Sequence, residues 1–282
     1  MGIDDVTVVV VNWKTPHLVE ACVARLLFFY PTIQLVITDN DSRDRSTKWI
    51  AKIARAQDNV SAIMNRGHVH ARVRLDALPL LAIHHFTPFG PAIGFAPGDE
   101  GITFQEKVLR GLWADGNIGH GPGLHQAFML VKTRYALALD SDCRIQRRGF
   151  IEGMLEPFAD ESVYAVGRVI NLSSRGGRHT SGKGGRHIHP SVSLLDVEKY
   201  KTLLPYVLFG VPTILNMPDA NRNGYEVVNF PVGMDSSAVY HPFAGSRKLL
   251  DRGIPKLRSK PFLPEVFLLG LKTEYLGGYF KD

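Results

Sequence analysis

Hydrophobic residues in the first 65 positions fall into two alternating kinds of segment. Residues 6–11, 33–38 and 60–64 are apolar runs of strand length. Between these runs, apolar side chains recur three and four positions apart, as they do in amphipathic helices. Largely apolar runs are typical of strands that are buried on both faces of a sheet. This alternation predicts a parallel sheet covered by helices.

Capping residues indicate where the helices of this first part should begin and end. Thr15 and Pro16 form an N-cap followed by proline at the first helical position, and Pro31 should end that helix. Ser46 is the expected N-cap of the second helix. Two strand–helix units therefore fit into the first 60 residues.

Residues 66–115 interrupt this order, and we interpret them as an insertion into the α/β unit. Residues 68–76 alternate between apolar and polar side chains, which predicts a strand with one wet face. Thr103 and Glu106 have the spacing of a capping box and predict a helix start. A glycine-rich segment, residues 116–123, then leads into a helix with apolar positions at Leu124, Ala127, Phe128 and Val131.

The second half of the chain predicts shorter elements. Helices are expected at residues 150–158 and 196–204, and strands at 163–170, 191–195, 225–230 and 238–241. Residues 173–189 are rich in glycine and basic side chains and predict a mobile loop. Residues 261–282 form an amphipathic segment suited to docking on the domain or on lipid. No linker demands two domains, so we expect one domain over residues 1–282.

Two carboxylates follow the apolar run at residues 135–139. Asp140 and Asp142 would point the same way if the extended chain continued through them. In open α/β sheets, ligands bind outside the carboxyl ends of the strands. Oxygen ligands at that place suit Mg²⁺ or Mn²⁺ carrying a phosphate. Asp39 follows an earlier strand in the same way. Each acid could instead belong to a simple turn, but its position at a strand end favours a function.

The composition is that of an ordinary globular protein with a mildly basic charge. The chain has 282 residues, a formal charge of +6 and a pI near 9.3, with 45% hydrophobic and 21% charged residues. A basic surface favours anionic ligands such as nucleotides and phosphates. No basic block with interleaved aromatic residues indicates nucleic-acid binding.

The chain also carries indications of its compartment. Cys22 and Cys143 lack metal-type spacing and are interpreted as thiols in a reducing compartment. The N-terminal residues lack the basic start of a signal peptide. No apolar segment is long enough to span a bilayer. These features predict a cytoplasmic protein and leave peripheral contact with a membrane open.

Taken in order, several of these motifs resemble the family 2 glycosyltransferases of GT-A fold. The resemblance covers about the first half of the chain outside the insertion, and it rests on the first strand, the Thr15-Pro16 cap, Asp39-Asn40-x-Ser42, Asn117-x-Gly119 and Asp140-x-Asp142. It implies a Rossmann-like three-layer α/β fold with a mostly parallel central sheet. It also implies a donor-binding half at residues 1–145 and an acceptor-side half at residues 146–282.

The same resemblance assigns roles to individual residues. Those that would bind the nucleotide sugar are Val11, Asn12, Thr15, Asp39, Asn117, Gly119, Asp140 and Ser141. Asp142 would hold Mn²⁺ or Mg²⁺, and His241, in a segment similar to a late histidine segment of the family, could complete the metal shell. The donor would be a UDP-, GDP- or dTDP-linked sugar, and the acceptor a hydroxyl of a glycan, a lipid-linked sugar or another molecule.

The general base is the residue for which the pattern departs from the family. Inverting transfer needs a carboxylate that accepts the acceptor proton. Pro212 and Thr213 stand where the family has an acidic pair. We expect Asp219 to serve instead, with Asp235 as the other nearby acid and Glu226 less suited because it lies in a predicted strand.

Three alternatives remain open at this point. The chain could be a nucleotidyltransferase on a related fold, which also needs a carboxylate pair and a metal. It could be a non-catalytic protein that keeps the nucleotide pocket. His187 and His189 could form part of a zinc site, although no third ligand at a telling spacing supports them. We expect a metal-dependent inverting glycosyltransferase.

Overall fold

A computed structural model describes residues 1–65, 119–172, 185–206, 212–213, 215–231 and 238–241. The strands in these ranges are β1 (Val6–Asn12), β2 (Gln34–Asn40), β3 (Val60–Asn65), β4 (Tyr135–Asp140), β5 (Arg144–Ile145), β6 (Val163–Leu172), β7 (Gly185–Asp196), β8 (Glu226–Asn229) and β9 (Val239–Tyr240). The α-helices are α1 (Pro16–Phe29), α2 (Arg45–Ala56), α3 (His120–Phe128), α4 (Phe150–Leu155), α5 (Val197–Thr202) and α6 (Asn216–Arg222). Short 3-10 helices cover Ile3–Asp5 and Glu156–Ala159.

Seven of the strands form the central sheet in the order β3-β2-β1-β4-β7-β6-β8. Neighbours from β3 to β4 are parallel, as the sequence predicts. The long strand β7 then pairs antiparallel with both β4 and β6, and β8 pairs parallel with β6. β5 and β9 form a separate antiparallel pair. The sheet is therefore mostly parallel, with its antiparallel strand next to β4.

Alternating residues of the central strands supply two hydrophobic cores, one on each face of the sheet. Val8 and Val10 of β1 belong to a core with residues of α1, α2 and α4, whereas Val9 belongs to a second core with residues of α3, α5 and α6. All three valines are fully buried. A mostly apolar strand that is buried on both faces fits between two layers of helices. The expected three-layer α/β architecture is confirmed.

The start of α2 differs from the prediction. Asp44, not Ser46, is the N-cap residue, and its carboxylate accepts a hydrogen bond from the Ser46 amide at 2.8 Å. Ser46 is instead the second residue of the helix. Asp is as good an N-cap as Ser, and with Asp44 in that place the Ser46 hydroxyl lies where it can contact Asn12, at 2.8 Å.

The second half of the chain also departs from the prediction. Residues 185–189, expected in a loop, belong to β7, because their backbone pairs with residues 169–172 of β6. The predicted strand at 191–195 is the other end of this 12-residue strand. Helix α6 and the short strand β5 were not predicted. The predicted strand at 238–241 is reduced to β9.

Some predictions concern residues outside the described ranges. These are the insertion at residues 66–115, Asn117, most of the loop at residues 173–189, Asp235 and the segment at residues 261–282. Among the helices that are described, none combines the length and the apolar character needed to cross a membrane.

Candidate active site

The carboxyl ends of β1, β2 and β4 meet at one edge of the sheet. In the register of the parallel pairs, Asn12 lies opposite Asp39, and Val11 lies opposite Asp140. The chain runs outward from β1 through β2 to β3 and then returns to place β4 on the other side of β1. This change of direction makes the space between β1 and β4 a topological switch point, the usual place of a ligand crevice in such sheets.

Asn12 is the centre of a buried hydrogen-bond network at this edge. Its Nδ2 lies 2.8 Å from Asp39 Oδ1, 3.0 Å from Ser42 Oγ and 2.8 Å from Ser46 Oγ. Its Oδ1 accepts a hydrogen bond from Thr15 Oγ1 at 2.9 Å. Asn12 is fully buried, so these partners fix the orientation of its amide and couple the end of β1 to the end of β2.

The network extends to the carboxylate of Asp39 and to the turn after β4. Asp39 Oδ2 accepts a short hydrogen bond from Thr47 Oγ1 at 2.9 Å and a long one from the Ser42 amide at 3.4 Å. Asp39 is 2% exposed. On the other side, Thr15 Oγ1 lies 3.2 Å from Ser141 Oγ. Thr15 therefore connects Asn12 with the turn that contains Asp140, Ser141 and Asp142.

Three residues beside this network have a left-handed backbone although none is glycine. The φ angles are 52° at Lys14, 56° at Asp41 and 52° at Arg43. Such angles cost free energy in L-residues, and they are enriched at ligand sites. Lys14 follows β1 and the other two flank Ser42 after β2, so both turns at this edge are held in an uncommon conformation. Residue types gave no indication of this at Lys14 and Arg43.

Asp140 and Asp142 converge on one histidine. His241 Nε2 lies 3.3 Å from Asp140 Oδ2 and 3.0 Å from Asp142 Oδ1. The assumption that the strand continues through both acids is wrong. The strand ends at Asp140, and the Cys143 amide donates to the Asp140 carbonyl at 2.9 Å to close a turn. The turn, and not strand alternation, brings the two carboxylates to the same imidazole.

A second histidine, His120, contacts the other oxygen of Asp140. His120 Nε2 lies 3.1 Å from Asp140 Oδ1. His120 is the first residue of α3, and the preceding Gly119 has φ of 92°, which favours glycine. The Gly119 carbonyl accepts a hydrogen bond from Asn40 at 3.0 Å, which fixes α3 against the end of β2. Sequence reasoning missed His120, since its role depends on this placement of α3.

Opposite charges and burial compete within this cluster. Burial raises the pKa of the Asp140 carboxyl, but the His120 and His241 imidazoles outweigh it and hold that pKa well below its usual range. Burial lowers the pKa of His241, but hydrogen bonds and charge from Asp140 and Asp142 raise it to about 9. At neutral pH the His241 imidazole is therefore a cation between two carboxylates. The cluster is a place where positive charge is stabilised.

No protein-family model matches the sequence, and no curated protein sequence matches it. Solved structures do match. The mannosyltransferase PcManGT from Pyrobaculum calidifontis, in complex with GDP-Man and Mn²⁺, superposes with a TM-score of 0.53 at 14% identity, over 95% of this chain and 72% of that one. S. aureus TarS 1-349 in complex with UDP superposes with a TM-score of 0.50 at 12% identity.

The chain has a GT-A glycosyltransferase fold. The mostly parallel sheet between two helical layers is thus the architecture that the resemblance implied. The match to TarS covers 84% of this chain and 60% of the TarS fragment, so this chain spans less than two thirds of that fragment. At these identities the likeness concerns the fold, and membership of family 2 stays a prediction.

Within this fold, Asp219 lies apart from the contacts just described. It is on α6, where its Oδ2 accepts a hydrogen bond from the Leu204 amide at 2.8 Å and its Oδ1 lies 3.4 Å from Arg222. Its side chain is 19% exposed. The structure brings together Asp140, Asp142 and His241, whereas Asp219 contacts Leu204 and Arg222. Its role as general base stays a prediction.

His187 and His189 differ in their surroundings on β7. His187 is fully buried, and burial lowers its pKa to about 3. His189 Nδ1 lies 2.8 Å from Ser191 Oγ, and its ring packs 5.8 Å from that of His241. Within the described residues, His187 and His189 do not lie in a cluster of three or more possible metal ligands. A structural role for His187 fits these observations.

His187 should make the protein sensitive to mild acid. The unfolded chain takes up a proton near the ordinary pKa of 6.5, whereas folded His187 does so only near pH 3. The contribution of His187 to stability is therefore fully present above pH 6.5 and is lost as the pH is lowered. Between pH 8 and pH 5 the loss from this residue should be about 2 kcal/mol. The measurement is urea unfolding of wild type and His187→Gln at both pH values. Wild type should lose about 2 kcal/mol more unfolding free energy between pH 8 and pH 5 than the variant does.

Ile188→Val is the matched control, because it removes a buried methylene next to His187 without a titratable group. It should cost about 1 kcal/mol at both pH values. If wild type and His187→Gln lost equal stability on acidification, buried His187 would not be a source of the acid sensitivity.

Proposed function

We propose that this protein is a metal-dependent glycosyltransferase that moves a sugar from a nucleoside-diphosphate sugar to an acceptor hydroxyl, with inversion. One observation carries the proposal. The Asn12 network and the Asp140, Asp142 and His241 cluster lie together at the carboxyl ends of β1, β2 and β4, at the switch point of a glycosyltransferase fold.

The cluster has the ligands that a divalent cation requires. Two carboxylates and an imidazole meet within hydrogen-bond distance, and carboxylate oxygens suit Mn²⁺ or Mg²⁺. Asp142 and His241 would hold the ion, and Asp140 would contact the ribose and the ion. When bound, the ion neutralises the charge that develops on the diphosphate leaving group. The proton of His241 would leave as the ion enters, since both occupy the space between the carboxylates.

The Asn12 network would hold the nucleoside. Asp39 Oδ2 accepts a short hydrogen bond from Thr47 and a long one from the Ser42 amide at 3.4 Å. An N–H of the base would take the place of the long bond at this acceptor-only carboxylate. Val11, Asn12 and Thr15 would line the same pocket, with Ser141, Gly119 and Asn117 beside the diphosphate. Because Asn12 contacts both Asp39 and Thr15, its amide would keep the base side and the diphosphate side in register.

The remaining roles concern the acceptor. Asp219 would accept the proton of the acceptor hydroxyl, within an acceptor-side half formed by residues 146–282 of a single domain. The acceptor would be a glycan, a lipid-linked sugar or another hydroxyl, in glycan or polysaccharide biosynthesis. The free buried thiols Cys22 and Cys143 fit a reducing, cytoplasmic compartment.

Turnover with a panel of donors tests the function. We expect Mn²⁺-dependent release of a nucleoside diphosphate from at least one UDP-, GDP- or dTDP-linked sugar, measured by chromatography of the nucleotide products. EDTA should stop the release. Asp219→Asn should retain donor binding and lose most of the turnover, since only the proton acceptor changes.

The products also separate the alternatives. Release of pyrophosphate, in place of a nucleoside diphosphate, would indicate a nucleotidyltransferase. Tight Mn²⁺-dependent nucleotide binding without turnover of any donor would indicate a non-catalytic binding protein. Full turnover in Asp219→Asn would place the general base elsewhere.

A further inference from the structure

Cys143 lies directly beside the proposed metal ligands. β5 and β9 pair with Arg144 opposite Tyr240, and one step further along this antiparallel register places Cys143 opposite His241. A carboxylate oxygen of Asp142, the Sγ of Cys143 and an imidazole nitrogen of His241 all lie within 4.8 Å of one another. The turn after β4 and the β5–β9 pair thus bring an oxygen, a sulfur and a nitrogen into one cluster.

These three side chains are a different ligand set from a pair of carboxylates. Catalytic Zn²⁺ sites use three protein ligands drawn from Cys, His and Asp or Glu, and keep a fourth position open. Thiolate sulfur favours softer cations, whereas Mg²⁺ prefers oxygen ligands alone. A site with one sulfur ligand should therefore discriminate among divalent ions.

The burial of the cluster leaves one open side. The side chains of Asp142 and His241 are each 4% exposed, whereas that of Asp140 is 22% exposed. Cys143 is 1% exposed. An ion held by the three buried ligands would meet solvent, or the phosphate of a donor, at the side of Asp140. This matches a site with three protein ligands and an open position.

We propose that Cys143 is a third protein ligand of this metal site, with Asp142 and His241, and that its sulfur makes the site prefer Zn²⁺ or Co²⁺ to Mg²⁺. The proposal rests on the proposed function in so far as the site is the one that would hold the cation of the donor. The thiol now donates to the Ser191 carbonyl at 3.5 Å. On metal binding the S–H bond breaks, its proton goes to solvent, and a sulfur–metal bond forms.

Titration of the protein with Co²⁺ alone tests the sulfur ligand. Thiolate bound to Co²⁺ gives a near-ultraviolet charge-transfer absorption that oxygen and nitrogen ligands do not give. We expect this absorption in the wild type and its loss in Cys143→Ser. Zn²⁺ affinity of that variant, measured by calorimetry, should fall at least about 10-fold, the lower bound for loss of a residue that merely supports a metal ligand. Its Mg²⁺ affinity should change far less.

Cys22→Ser is the matched control. Cys22 is also a buried free thiol close to the cluster, with its Sγ 3.6 Å from the Asp140 carbonyl oxygen. This variant should keep the absorption. Persistence of the absorption in Cys143→Ser, or its loss in Cys22→Ser with Cys143 intact, would overturn the assignment.

X-ray absorption of the Zn²⁺-loaded wild type gives an answer that needs no variant. A sulfur neighbour at about 2.3 Å is expected, and a shell of nitrogen and oxygen alone at about 2.0 to 2.2 Å would overturn the proposal. The two proposals fail separately. A sulfur signal without turnover of any donor would contradict the proposed function alone, and Mn²⁺-dependent transfer without a sulfur signal would contradict the role of Cys143 alone.

Discussion

Asp142→Ala should abolish the Mn²⁺-dependent part of nucleoside diphosphate binding. Asp142 contacts His241 at 3.0 Å and is 4% exposed, so its removal would delete a proposed metal ligand at a place that water does not easily reach. Loss of residues that only support metal ligands costs 10- to 100-fold in affinity, and loss of a direct ligand should cost at least about 100-fold. Calorimetric titration of UDP and GDP, with Mn²⁺ and with EDTA, measures the effect.

Two comparisons make this result specific. Asp58→Ala removes an exposed carboxylate in the turn before β3 and should leave Mn²⁺-dependent binding unchanged. Asp142→Asn keeps the size of the side chain, so a loss of binding in this variant would come from charge and not from a cavity. Equal affinity of wild type and Asp142→Ala in the presence of Mn²⁺ would contradict the role of Asp142 as a metal ligand.

The parallel half of the sheet was predictable because burial on both faces leaves a plain pattern. β1, β2 and β3 begin and end within two residues of the apolar runs at 6–11, 33–38 and 60–64. Parallel strands bring their carboxyl ends to one edge, so Asp39 and Asp140 could be placed at the same edge before any coordinates. Placing the two acids together needed only the expectation that the strands are parallel and that ligands bind outside their carboxyl ends.

Strand β7 shows what the pattern could not supply. Residues 185–189 contain Gly, Arg, His and Ile, a mixture without strand periodicity. They form a strand because β6 offers backbone groups to residues 185–188, such as Ile170 opposite His187. Strand formation of this kind depends on neighbours far away in sequence and not on local propensity.

The site was predictable in part for the same reason. The acids at strand ends were found, but the turn that closes after Asp140 and the approach of His120 were not. His120 reaches Asp140 because Gly119 has a positive φ and Asn40 holds the Gly119 carbonyl. Likewise, Cys143 lies opposite His241 only through the pairing of two-residue strands. Contacts of this kind depend on the relative placement of separate elements.

Gly167→Ala should strongly destabilise the fold. A Cβ at Gly167 would lie 2.7 Å from the Val192 carbonyl oxygen and 2.9 Å from Ile188 Cγ2. The first of these atoms is backbone of β7, which cannot move without disturbing the ladder in which Gly167 lies opposite Ser193. Overpacking typically costs 1–3 kcal/mol, and with backbone in contact we expect about 3 kcal/mol. Urea unfolding measures it.

Gly153→Ala is the matched control for this substitution. Its Cβ would lie 3.0 Å from Cζ of Phe230, a side chain that can rotate away, and alanine gains about 1 kcal/mol over glycine inside a helix. The control should therefore remain within about 1 kcal/mol of wild type. A similarly small effect in Gly167→Ala would contradict the predicted clash with the backbone of β7. Val192 also pairs with Leu139, directly before Asp140. A displacement of β7 by the added methyl group would therefore reach the proposed metal site, and weaker Mn²⁺ binding in Gly167→Ala should accompany its loss of stability.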